Sequence, residues 1–234
     1  MCGRYRLTAK ERYIAEHFEV PEEEVHWSAR YNIAPTQEVA VIRQDKTAPH
    51  RNFTLMRWGL VPYWASDTSF GNKAINAMAE TVAEKPAFRD AMRKQRCLLP
   101  ADGFYEWKKL TLRDKQPFNF SMKDDGLFAF AGLWDRWRSP SGESLESCAI
   151  LTTRANELTR DVHDRMPVIL QPHDYARWLD PAITDPRRVA DLLAPLDGTL
   201  MKKYPVGSRV GNPLNDDPEC CREVPMRASA PTLF

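Results

Sequence analysis

The sequence predicts a single α+β domain in which short strands dominate and a few short helices flank them. Three observations lead there. The 234 residues suffice for one large domain and need no second core. Apolar residues make up 43% and aromatics 10% of the chain, with seven tryptophans, the composition of a packed globule. The middle of the chain is cut into apolar or alternating runs of strand length, whereas helical spacing is found mainly outside it.

In chain order, residues 10–18 have helical spacing, with Tyr13, Ile14, His17 and Phe18 on one side and a glutamate in the first turn. Residues 31–36 form a turn leading into a short buried strand over 38–43, and 53–58 alternate as a second strand that Gly59, Pro62 and Trp64 break. A polar loop is expected over 67–71. Residues 84–96 read as a helix with Pro86 in its first turn, and its cations Arg89, Arg93, Lys94 and Arg96 make either a solvated face or a phosphate track. Strands are expected at 97–100 and 105–108, flanking an Asp102-Gly103 turn, and at 117–122, 127–133 and 147–152, with Asp125-Gly126 as a hairpin signal. Short helices are expected at 156–162, 172–179 and 186–193. Past Asn215 the chain turns to Asp, Pro, Arg and Ser and reads as loose.

Composition narrows the function. No apolar run approaches the ~18 residues a membrane helix needs, and the charged residues soon after Cys2 leave no signal-peptide core, so a cytoplasmic protein is expected. The five cysteines are odd in number and form no C-x-x-C pair, which argues for reduced thiols over a disulfide framework or a zinc site. A net charge of +1 means that any nucleic-acid site must be a local basic groove.

The chemistry begins at Met1-Cys2-Gly3-Arg4. Trimming of Met1 leaves Cys2 with an α-amine of pKa near ~8 beside a thiol near ~8.5, two nucleophiles on one residue. An aldehyde meeting that pair can form an imine and close to a five-membered thiazolidine. Partners are sought among polar residues in apolar surroundings: Asn76 within Ala74-Ile75-Asn76-Ala77, Glu106 between Tyr105 and Trp107, and His163 ahead of Arg165-Met166-Pro167. A glutamate desolvated between aromatics has a raised pKa suited to proton transfer, although the same spacing also fits an outward-facing strand residue.

Six segments together, Met1-Cys2-Gly3-Arg4, Tyr31-Asn32-Ile33-Ala34-Pro35, Arg57-Trp58-Gly59-Leu60-Val61-Pro62, Asn76-Ala77-Met78-Ala79-Glu80-Thr81, Pro100 to Lys108, and His163-Asp164-Arg165-Met166-Pro167, resemble the SOS-response-associated peptidase (SRAP) family of abasic-site-processing proteins. The resemblance spans 2–218 and leaves 219–234 as a loose tail. It implies a β-rich α+β fold and single-stranded DNA with abasic sites as the partner. It also implies a covalent thiazolidine linkage through Cys2 that shields the lesion, and self-processing peptidase activity. By resemblance Asn76 holds the Cys2 terminus, Glu106 and His163 transfer protons, and Arg4, Arg57, Trp58, Trp64, Trp107 and Arg165 contact DNA. No cofactor or metal is required, and a monomer is expected. The family usually has arginine where this chain has Met78, which removes one expected phosphate contact. Two rival readings are an N-terminal-nucleophile amidohydrolase, since glutamine amidotransferases also begin Met-Cys-Gly, and a non-catalytic reader of modified or single-stranded DNA. The first lacks its glutamine-binding motifs here, and the second leaves Cys2 idle.

Overall fold

The computed structural model describes residues 2–48, 50–111 and 114–226. Its strands are β1 (Tyr5–Leu7), β2 (Arg30–Ile33), β3 (Glu38–Arg43), β4 (Asn52–Trp58), β5 (Asn76–Met78), β6 (Arg96–Ala101), β7 (Gly103–Lys109), β8 (Lys115–Met122), β9 (Phe128–Arg138), β10 (Ser144–Arg154), β11 (Arg165–Pro167), β12 (Ile169–Leu170) and β13 (Met201–Pro205). The α-helices are short: α1 (Glu11–Phe18), α2 (Arg89–Lys94) and α3 (Tyr175–Leu179). No described helix is long and apolar enough to cross a membrane.

The strands form two sheets. One has five strands in the order β13-β8-β7-β1-β2; the other runs β11-β10-β4-β3-β6-β9-β12, with β5 pairing β10. A further pairing of β9 with β10 closes the second sheet's path on itself. Aromatic side chains fill the space between the sheets. Tyr5 of β1 meets Trp58 of β4 and Phe130 of β9 edge-on, at centroid distances of 5.4 and 5.5 Å, and Phe104 of β7 stacks on Phe120 of β8 at 5.0 Å while also touching Phe130. These rings are fully buried, so the layer that joins the sheets also contributes apolar stabilisation.

Several expectations hold in place and type. The strand over 38–43 is β3, with Val39 to Ile42 completely buried, and α1 packs Ile14, Ala15 and Phe18 inward and stops at Glu19 in the left-handed region (φ 55°). Others are corrected. Neither Asp-Gly pair makes a hairpin: β6 and β7 lie in different sheets, as do β8 and β9. Asp102 instead anchors the crossing, with its carboxylate 3.0 Å from Arg6 and accepting from the Thr8 N–H and hydroxyl. The helix over 84–96 shrinks to α2, because 81–88 form successive turns around Pro86. Arg96 is no phosphate cation: it is buried, and its guanidinium donates to the carbonyls of Met92, Arg93, Trp178, Asp180 and Ile183. Residues 67–71 belong largely to a 3-10 helix (Thr68–Lys73) capped by Asp67, and 156–162 make only turns, with Asn156 Oδ1 accepting from the Leu158 and Thr159 N–H groups.

The chain past 218 is also corrected as far as 226. Pro218–Cys221 form a 3-10 turn with Cys220 fully buried, and Val206 bridges Glu223. The remainder of the tail, 227–234, lies outside the described residues. This C-terminal strap is pinned by buried Asn32, whose amide donates to the carbonyls of Val210, Asn212 and Asn215 while its oxygen accepts from Arg4 at 3.0 Å. Asp216 takes the backbone N–H groups of Tyr31 and Asn32. Asn32→Ala removes one donor from each of those carbonyls and the side-chain acceptor of Arg4, and is expected to cost about 1–3 kcal/mol, read as a lower urea midpoint.

Candidate active site

Cys2 lies just ahead of β1, and its neighbour across the fold is β5. Two close backbone approaches set β5 in place. Gly59 has φ 128°, and a Cβ there would meet the Gly71 carbonyl oxygen at 2.5 Å, so only glycine lets the chain turn out of β4 this way. Leu60 N–H then bonds the Ala74 carbonyl, and β5 enters parallel to β10 with Asn76 opposite Ile150. Asn76 Nδ2 thereby donates to the Cys2 carbonyl at 2.8 Å. Its Oδ1 is buried and has no hydrogen-bond partner among the described residues, leaving an unused acceptor on the side chain that holds Cys2.

Glu106 comes from β7 and is 5% exposed. Burial raises its carboxyl above the ordinary range, against opposing charges that include His163. Burial also pushes the Cys2 thiol well above its usual range, and the nearby Glu106 charge adds to that. Cys2 therefore feels the charge of Glu106, and Glu106 that of His163, although the three are far apart in sequence. A thiol so buried is held as SH, which makes it dependent on a neighbouring base before it can attack.

His163 Nδ1 accepts the Arg165 backbone N–H at 3.0 Å, which fixes the neutral ring with its proton on Nε2; the Asp164 carboxylate, 2.9 Å from the same nitrogen, is a partner for the protonated ring. Arg165 opens β11 and grips Glu80 with both fork nitrogens at 2.7 and 2.8 Å, while also donating to the Thr152 carbonyl at 2.6 Å. Arg165 holds Glu80 below the usual carboxylate range.

The residues expected at DNA divide into two groups. Trp64 is 47% exposed and meets Phe70 edge-on at 5.5 Å, lining a cavity of about 550 Å³ that reaches Asn76. Trp107 is half-buried with the Arg4 guanidinium 5.8 Å from its ring. Arg57 is half-buried and donates to the Thr68 carbonyl and Asn72 Oδ1. Trp58 is a correction: it is fully buried in the inter-sheet layer, its indole donates to the Ile75 carbonyl, and no base can stack on it. Arg4 donates to Asn32 and to the Val210 and Gly211 carbonyls, so it braces the strap as well as facing Trp107. Met78 is 46% exposed, which excludes a core methionine. Glu80 and Asn32 were not anticipated as partners: both stand inside recognisable segments, but the residues they bond are 85 and 28 positions away.

With this geometry in view, comparison with known proteins is decisive. The sequence profile described as SOS response associated peptidase (SRAP) matches residues 1–213. The chain belongs to the SRAP family. It is 45% identical over 223 residues to the abasic site processing protein YoqW of Bacillus subtilis, covering 94% of this chain and 98% of that one. It is 29% identical to the abasic site processing protein HMCES of Xenopus tropicalis, over 83% of this chain and 66% of that protein. Among solved structures, a Bacteroides thetaiotaomicron protein superposes with a TM-score of 0.83 at 27% identity, covering 95% of this SRAP chain and all of that one, and a Bordetella bronchiseptica protein with 0.73 at 30%, covering 88% and all of it.

Proposed function

We propose that this chain processes abasic sites in single-stranded DNA by linking the lesion covalently to Cys2 once Met1 is removed, by an aminopeptidase or by the protein itself. The observation that supports this most is the meeting of Cys2, Asn76, Glu106 and His163 at the start of the chain. The open-ring aldehyde of the lesion adds the freed α-amine to give a hemiaminal. Glu106, whose carboxyl burial raises above the ordinary range, donates a proton in its acid form to the departing hydroxyl, and water leaves as the iminium forms. The resulting Glu106 carboxylate takes the thiol proton as sulfur attacks the iminium carbon, closing the thiazolidine. One aldehyde, one amine and one thiol give one ring and one water, with no redox change and no cofactor. Asn76 holds the Cys2 carbonyl so that the amine and thiol face the sugar. His163, whose neutral ring carries its proton on Nε2, assists ring opening of the sugar.

The test is incubation with a single-stranded oligonucleotide carrying one abasic site, read on a denaturing gel. A heat-stable adduct supports the reading. DNA binding without an adduct would leave a reader of damaged DNA, and neither would leave the amidohydrolase.

Exposed Met78 supplies a second prediction. Met78→Arg is expected to tighten noncovalent binding at low salt and to steepen log K against log salt by about 0.7, the increment for one phosphate on a single strand. Its melting temperature should stay at the parent value, since the side chain is 46% exposed and disturbs no core. A lower melting temperature with an unchanged slope would remove the phosphate contact.

A further inference from the structure

Beside the candidate active site lies a second cavity, of about 370 Å³, that none of the residues discussed so far occupies alone. Glu80, Thr153, Arg154 and Asp191 supply its polar lining, and Leu193 and Pro195 part of an apolar wall. Both carboxylates are already spent. Glu80 is gripped by the fork of Arg165, and Asp191 by that of Arg177 at 2.7 and 2.5 Å. Arg154 is different: it is exposed, and its side chain forms no hydrogen bond or salt bridge among the described residues. It also sits directly opposite Arg165 in the antiparallel pairing of β10 with β11. Like charges facing each other across a ladder are unfavourable, and Glu80, although it feels the Arg154 charge as well, hydrogen-bonds only Arg165. The cavity therefore holds one cation with no carboxylate hydrogen-bonded to it, against an apolar wall.

We propose that this cavity binds one nucleotide of the DNA strand flanking the lesion, with its phosphate on Arg154 and its base or sugar against Leu193 and Pro195. The inference rests on the DNA reading given above. Three features favour this occupant. The volume is at the low end for ligand sites, which suits a single residue of a longer chain. The pairing of one positive group with apolar surface matches a phosphate joined to a base. The register also places it on the strand's path: Asn76 stands opposite Ile150, and Arg154 lies four residues further along β10, roughly 13 Å at 3.3 Å per residue. A strand leaving Cys2 along β10 meets Arg165 and Arg154 together, at one register position.

The test measures salt-dependent binding of a labelled oligothymidylate to full-length protein carrying Cys2→Ala, which prevents covalent capture. Arg154→Ala should make the log K against log salt slope shallower by about 0.7, and Arg154→Lys should keep it. Ala190→Glu, a change at an exposed position on the cavity wall, should weaken binding at low salt by placing an unpaired carboxylate beside the phosphate. Arg138→Ala removes the same charge at the far end of the β9–β10 hairpin, where Arg138 faces Ser144, and should leave the slope unchanged. The proposal is overturned if Arg154→Ala behaves like Arg138→Ala, if Arg154→Lys loses as much as Arg154→Ala, or if Ala190→Glu has no effect. Should the Cys2→Ala parent bind no DNA at all, the DNA reading itself fails and this inference with it.

Discussion

Protein that retains Met1, and protein with Cys2→Ala, are each expected to give no heat-stable adduct with an abasic oligonucleotide, a loss of the whole signal and the largest effect anticipated. The reason lies in which nitrogen reacts. At pH 7.5 roughly a quarter of a free α-amine is unprotonated, against ~0.1% of a lysine amine, so the terminal amine outcompetes the many lysines on the surface. With Met1 in place that nitrogen is an amide and cannot form an imine. Sulfur then decides permanence. Cys2→Ser keeps the amine but offers only a hydroxyl, so it should give an imine that borohydride reduces to a heat-stable amine and that, left unreduced, hydrolyses on heating. Mass spectrometry of the purified protein, lacking one methionine, should accompany activity. Equal crosslinking by Met1-bearing protein would sink the thiazolidine.

The parts of this scheme legible in the sequence are those where one residue is chemically out of place. Cys2 beside the initiator, and Glu106 between two aromatics, can be singled out without knowing any contact, because desolvation and terminal amines are local facts. Strand positions such as β3 and β8 are legible for a similar reason, since the apolar runs are continuous or alternating. Pairing is not. Asp102-Gly103 and Asp125-Gly126 announce a reversal of the chain, but which sheet the next strand joins depends on the ring layer of Tyr5, Phe104, Phe120 and Phe130, which only the assembled fold provides. Trp58 was misread on the same ground: its motif suggests a stacking platform, and its burial against Tyr5 is a tertiary fact. The double grip of Glu80 on Arg165, and the solitary charge of Arg154 it leaves behind, are likewise invisible until β10 and β11 lie side by side.

Glu106→Gln is expected to slow adduct formation by about 10²–10⁴-fold, the range for losing a general acid–base group, while leaving the protein folded. Glutamine fills the same space and can still hydrogen-bond, but it can neither protonate the departing hydroxyl nor take the thiol proton. The pH profiles separate this from a structural defect. Wild-type dehydration should weaken as pH rises through the raised Glu106 pKa, because the acid form disappears; the glutamine variant should lack that limb. Stability moves with the same group. A carboxyl whose folded pKa is raised contributes stability that is fully present below its unfolded value of about 4.3 and is lost as pH rises through the folded one. Wild-type melting temperature should therefore fall over that interval, and Glu106→Gln should flatten the fall. A variant that crosslinks at the wild-type rate removes Glu106 from the chemistry; one that is slow but keeps the wild-type pH limb assigns the proton transfer to another group, with His163→Ala as the next variant to measure.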